Sequence, residues 1–251
     1  MTDLWTFYLV AIPAVLMAGI SKGGFGSGAS FAGAILLALV LEPQVALALM
    51  LPLLMLMDVT ALSAYWRQWD PTAALVLCLG AIPGTILGLL LFQRTDANTV
   101  RLFIGAIAVL FVFFEMARSA GLISGSRQLG STLMGGILGI ATGFTSFMAH
   151  AGGPAASVYL LSRRLSKRRY QATTVFVFWV INLMKILPYY SMGAFDLSML
   201  WIDMTLVPVA VLGIFIGVRL HDRISDLWYF RLTYALLLAT GTKLIFDGLT
   251  A

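Results

Sequence analysis

The sequence predicts an all-α polytopic membrane protein. Its expected plan is two inverted repeats of about five hydrophobic segments each. Two broken or re-entrant helix pairs are expected to meet near the midplane. Three observations carry this: a composition unsuited to a wet surface, ten apolar runs, and an order of features that recurs in the two halves.

Of the 251 residues, 60% are hydrophobic and 11% charged, and the mean hydropathy is +0.95. Soluble domains carry about 45–50% apolar and about 25% charged residues. A soluble fold of this size would lack the charges to cover its surface, whereas lipid accepts apolar side chains. The net charge is +5. The basic residues sit in short gaps between apolar runs, so they set orientation and do not mark a nucleic-acid surface. The single cysteine, Cys78, excludes an internal disulfide and a cysteine metal site. It reads as a small buried hydrophobe. The start, Met1-Thr2-Asp3, has no basic leader and reads as the approach to the first membrane segment.

A membrane helix takes roughly 20 apolar residues. The runs are Leu4–Ile20, Ala29–Leu41, Val45–Trp66, Ala73–Phe92, Val100–Ala117, Leu129–Phe147, Pro154–Leu161, Tyr170–Met192, Leu197–Val218 and Tyr229–Phe246. Ala29–Leu41 and Pro154–Leu161 are too short to span comfortably, and each follows a Gly/Ser/Thr-rich break. Trp5, Trp66, Trp69, Trp201 and Trp228 fall near run ends, as an interfacial aromatic belt requires. Pro52, Pro83, Pro188 and Pro208 lie within runs.

The halves repeat. Gly19-Ile20-Ser21-Lys22-Gly23-Gly24-Phe25 and then Gly33 are answered by Gly139-Ile140-Ala141-Thr142-Gly143-Phe144 and then Gly153-Pro154. Ala46 and Asp70 recur as Ala172 and Asp196, both at an offset of 126. Gly84-x-x-x-Gly88 recurs as Gly213-x-x-x-Gly217, and Arg101 as Arg231. Residues 1–120 are the first repeat and 121–251 the second, within one membrane domain. Five segments is an odd number, so the second half enters the membrane inverted, as in many secondary transporters. The basic run Arg163-Arg164-Leu165-Ser166-Lys167-Arg168-Arg169 marks the cytoplasmic side. Alternating outward from it, Arg67, Arg118, Arg127, Arg219, Arg223 and Arg231 share that side. Asp3, Glu42, Asp96, Asp196 and Asp247 fall opposite, with Arg94 as the exception. Both termini then lie on the non-cytoplasmic side. Charge counting does not separate crossing from re-entry for segments one and two or six and seven; their short second members favour hairpins.

The breaks carry the expected chemistry. The first holds Ser21, Lys22, Gly23, Gly24, Gly26, Ser27, Gly28 and Ser30. Unwound backbone at membrane depth must line a wet cavity or be buried in protein. A helix restart there presents amides with a partial positive charge, which suits an anion. The second break runs from Thr142 to Pro154 and supplies Thr145, Ser146, Gly152 and Gly153. Close helix packing by small residues is the competing account of these glycines. Asp58 and Lys185 lie inside apolar runs, where an unpaired charge costs about 2.5–3.5 kcal/mol on insertion scales. Asn182, Lys185 and Tyr189 share one helix face. One reading puts Asn182 and Lys185 on substrate, with Asp58 and His150 as proton-coupling candidates. The other pairs Asp58 with Lys185 structurally.

Ala18-Gly19-Ile20-Ser21-Lys22-Gly23-Gly24-Phe25-Gly26 resembles the first-repeat signature of the sulfite exporter TauE/SafE family. Leu51-Pro52 followed by Asp58 is similar to the same repeat. The Gly139–Pro154 stretch and Leu165-Ser166-Lys167-Arg168-Arg169 look like the second. The resemblance runs from about Trp5 to Phe246. It implies a bacterial inner-membrane permease for sulfite, an organosulfonate or a related anion. It carries no role to His150 or Lys185.

The expected function is alternating-access transport of a small anion, with the lipid bilayer as surroundings. A coupling proton or sodium ion and a homo-oligomer are compatible with this reading. No cofactor, metal or catalytic constellation is read: there is no Cys–His pair and no His-Glu-x-x-His. An anion channel with the same site, or a non-transporting membrane assembly partner, are the alternatives.

Overall fold

The computed structural model describes residues 4–25, 28–122, 130–193, 197–220 and 226–250. These form helices and connections with no strand among them. In order they are α1 (Leu4–Ile20), continued by a π-helical turn over Ser21–Phe25, then a 3-10 turn (Gly28–Phe31) leading into α2 (Ala32–Leu37). After these come α3 (Pro43–Ala64), α4 (Pro71–Phe92), α5 (Ala97–Ser119), α6 (Thr132–Ala149), α7 (Gly153–Ser162), α8 (Lys167–Ser191), α9 (Leu197–Leu220) and α10 (Asp226–Thr250). Each apolar run thus contains a helix. Among the described residues, seven helices are long and apolar enough to cross a membrane. At 1.5 Å per residue, α2 and α7 reach only about 9 and 15 Å.

Local sequence sets the helix starts. Asp70, Asp96, Ser131 and Ser166 each accept the amide three residues on, from Ala73, Thr99, Met134 and Arg169. Pro43 and Pro71 occupy first-turn positions, where a missing N–H costs nothing. The Thr99 hydroxyl and amide also hold the Asp96 carboxyl below the usual carboxylate range.

Glycines decide the helix pairs. The Gly19 position lies against Gly213, and Gly24 against Gly217, so α1 and α9 run parallel in close contact. Gly80 faces Gly139 and Gly84 faces Ile140, so α4 and α6 form a second parallel pair. α5 and α10 pack antiparallel, Gly105 against Gly241 and Asn98 against Gly248. Bare Cα atoms let backbones approach to this depth. α3 packs on α8 at the centre, and its core-facing residues Leu47, Met50, Leu51 and Leu54 are buried.

The two breaks are shorter than the sequence suggests. Helical geometry persists through Ser21–Phe25, and α6 continues to Ala149, leaving only His150–Gly152 as the second break. The hydroxyls of Thr142 and Thr145 donate to the Leu138 and Ala141 carbonyls one turn back. They therefore stay inside a helix without stranding a polar group. The helix stops at His150, whose φ of 54° is left-handed.

Candidate functional site

Buried polar side chains gather along α3 and α8. Lys22, in the π turn, places Nζ 2.8 Å from Asp58 Oδ1 and donates to the Leu54 carbonyl at 2.9 Å. Two side chains hold the turn that carries it. Gln171 Nε2 donates to the Lys22 carbonyl at 3.0 Å, and the Tyr65 hydroxyl to the Gly23 carbonyl at 3.3 Å. The other Asp58 oxygen accepts from Asn182 Nδ2 at 2.7 Å.

One turn further along α8, Lys185 is fully buried. It donates to the Ser146 carbonyl at 3.1 Å and its hydroxyl at 3.2 Å, and lies 2.7 Å from His150 Nδ1. His150 Nε2 is 2.9 Å from the Leu47 carbonyl. A carbonyl only accepts, so Nε2 carries the hydrogen and Nδ1 receives the lysine. Tyr189 donates to the Phe147 carbonyl at 2.9 Å and lies beside the imidazole. The sequence alternative of a direct Asp58–Lys185 ion pair gives way to a different pairing. Asp58 takes Lys22, and Lys185 turns to α6. The antiparallel α3–α8 pairing sets Asn182, not Lys185, opposite Asp58.

The predicted ligands divide. Lys22, Asp58 and Asn182 are brought into one bonded set, and Ser146, His150 and Lys185 into a second one turn along α8. Ser21 is buried beside Lys22, its hydroxyl without a hydrogen-bond partner among the described residues. Gly23 and Gly24 face α9: a Cβ on Gly23 would come within 2.5 Å of the Ile214 carbonyl, and one on Gly24 would meet Gly217. Their local role is close packing. Gly26 and Ser27 lie outside the described residues. Gly28 opens the 3-10 turn and Ser30 is half-buried within it. Thr145 returns its hydroxyl to Ala141. Gly152 caps α7 and Gly153 is its first residue. The 3-10 turn that leads into α2 packs against α7. Lys22 and His150 meet α3 at Leu54 and Leu47, about 10 Å apart along the helix.

Gln171, Glu115 and Asp203 are among the buried polar residues that the sequence does not single out. Gln171 supports the Lys22 turn. Glu115 pairs with Arg118 and accepts from Tyr234 at 3.1 Å. Asp203 is buried in α9 with neither carboxylate oxygen bonded among the described residues. The signal was present for Asp203, which is a lone acid in the run Leu197–Val218, as Asp58 is in its own run. Among the described residues, no group of three or more His, Cys, Asp or Glu is placed to hold a metal ion.

The sulfite exporter TauE/SafE family profile matches residues 11–244, nearly the whole chain. The chain belongs to that family. As a TauE/SafE protein it is a multi-pass membrane transporter of anions or sulfur compounds. The match spans both breaks, α3 and α8, and so includes every one of these buried polar residues. No individual curated protein and no solved structure matches the chain.

Proposed function

We propose that this TauE/SafE chain moves a small sulfur-containing anion, sulfite, an organosulfonate or a related anion, by alternating access. The carrying observation is a charge imbalance. The buried group holds two ammonium side chains, Lys22 and Lys185, against one carboxylate, Asp58. Lys22 is paired. Lys185 meets only neutral acceptors. A buried charge without a counter-charge costs several kcal/mol, and an anion seated beside Lys185 removes that cost. Ser21 beside Lys22, Ser146 on Lys185 and Asn182 on Asp58 are the neutral polar side chains next to these charges. The start of α7 at Gly152–Gly153 adds amides with no intrahelical partner. In this reading Asp58 and His150 hold the two ammonium groups in place.

Alternating access draws support from the helix pairs. α1 pairs with α9 and α4 with α6, both parallel, while α3 pairs with α8 and α5 with α10. An inverted repeat, in which each helix has a mate five places on, produces this exchange. The membrane proposed is the bacterial inner membrane, with the basic Arg163–Arg169 end cytoplasmic and both termini opposite.

Uptake of radiolabelled sulfite into proteoliposomes tests the proposal. The expected result is saturable uptake by the wild type and its loss in Lys185→Met and Lys22→Ala. Uptake no greater than in empty liposomes, or unchanged in Lys185→Met, overturns it. Steady current with voltage and no gradient-driven accumulation would make the protein a channel instead.

A further inference from the structure

Asp203 is a second buried charge that the lysine group does not use. It is 4% exposed. It belongs to the stripe Asp203, Leu206, Ala210, Ile214 by which α9 faces the protein interior. Both its oxygens are buried and neither meets a donor among the described residues. A carboxylate in that position is unsatisfied twice over, by charge and by hydrogen bonding.

A pocket of about 470 Å³ lies one turn away. It is lined by Gln44, Phe92, Gln93, Met192 and Met199 among others. Met199 and Asp203 are four residues apart on one helix face. Gln44 Oε1, at the same pocket, is likewise buried and unpartnered among the described residues. The pocket wall at Met199 therefore stands one helical turn from Asp203.

The elements packed on α9 are α1, the π turn and α3. Their described titratable groups are Tyr8, Lys22 and Asp58. Tyr8 is 3.0 Å from the Thr205 hydroxyl, and Lys22 and Asp58 pair with each other. On α9 itself Arg219 sits in the last turn, at the far end. None of their described contacts is with Asp203. A metal ion needs several oxygen ligands around it, while a proton needs one oxygen.

We propose that Asp203 is the proton-binding site of the transport cycle. Its carboxylate takes a proton from water in the pocket and becomes a neutral carboxyl. It returns that proton to water when the opposite end of the protein opens. The ionised form needs water and so favours the state with the pocket end open. The neutral form tolerates dry burial and permits closure. Because α9 is locked to α1 through Gly213–Gly19 and Gly217–Gly24, a shift of α9 carries the Lys22 turn with it. The coupling to anion movement rests on the transport reading above; the protonation itself does not.

Two measurements test this. The first is infrared absorption of the lipid-reconstituted protein, titrated with acid and base. Among the carboxyl carbonyl bands, one present in the wild type and in Asp58→Asn is expected to be missing from Asp203→Asn throughout the titration. The second uses vesicles loaded with a pH dye and a gradient of methanesulfonate, a permanent anion that carries no proton itself. Asp203→Asn is expected to lose sulfonate-driven proton flux by about tenfold or more, within the usual range of coupling between sites. Its methanesulfonate counterflow is expected to persist. An unchanged set of carboxyl bands, or proton flux that survives, in Asp203→Asn overturns the proposal. Absence of methanesulfonate counterflow in the wild type counts against the anion reading, and the infrared band still decides Asp203.

Discussion

The Lys22 ammonium lies 2.8 Å from the Asp58 carboxylate, both cut off from solvent, where the π turn ending α1 meets α3. The pair ties the π turn to α3, and Asn182 extends it to α8. Its members are strongly interdependent, because either alone leaves a buried charge.

Removing one partner should therefore cost more than removing both. Lys22→Met and Asp58→Leu are each expected to destabilise by about 3–5 kcal/mol, with the double variant recovering most of the loss. Thermal unfolding in detergent or lipid reads this. Two single losses that simply add in the double variant would show that the side chains do not act as a pair. Transport is expected to stay lost in all three.

Lys185 should behave differently. It has no described carboxylate contact, so Lys185→Met loses hydrogen bonds worth about 1–2 kcal/mol but also relieves a buried charge without a counter-charge, and is expected to be at least as stable as wild type. Anion binding is expected to weaken by tenfold or more, about 1.4 kcal/mol. Tryptophan fluorescence titrated with sulfite, beside a melting curve, measures both. A large stability loss with unchanged binding would assign Lys185 to structure.

His150 ends α6 with a left-handed backbone and bridges Lys185 to the Leu47 carbonyl. Asparagine tolerates that backbone and alanine does not. His150→Ala is expected to be less stable than His150→Asn by about 1 kcal/mol, and both should lose the bridge. Equal melting temperatures for the two variants would remove the backbone argument.

Glycine contacts give a control within a single helix. A Cβ at Gly139 would come within 2.9 Å of the Gly80 Cα, whereas one at Gly136 meets nothing within 4 Å. Gly139→Ala is expected to cost about 1–3 kcal/mol through overpacking. Gly136→Ala is expected to be neutral or to gain up to about 1 kcal/mol of helix propensity. The order of their melting temperatures checks the α4–α6 contact.

How much of this was legible in the sequence depends on the kind of signal. The helices were readable because lipid imposes a length and an apolar composition on every span, and each run from Leu4–Ile20 onward holds one. Asp58, Lys185 and His150 stood out because a polar side chain is costly at membrane depth wherever its run happens to fold. Asp203 gave the same signal and was passed over. The breaks were drawn too long: glycine and threonine look like loop residues, yet in α6 the glycines seat α4 and the hydroxyls bond their own helix.

The sequence alone determined a helical membrane protein, its ten segments, and a small set of buried polar residues that must find partners. Tertiary structure decided the partners. Lys22 rather than Lys185 takes Asp58, Lys185 takes Ser146 and His150, and Gly23 and Gly24 face α9. Composition and periodicity fix what each segment must bury, because that cost is local. Which side chains meet depends on helix depth and rotation, set by contacts such as Gly19–Gly213 between residues almost two hundred positions apart.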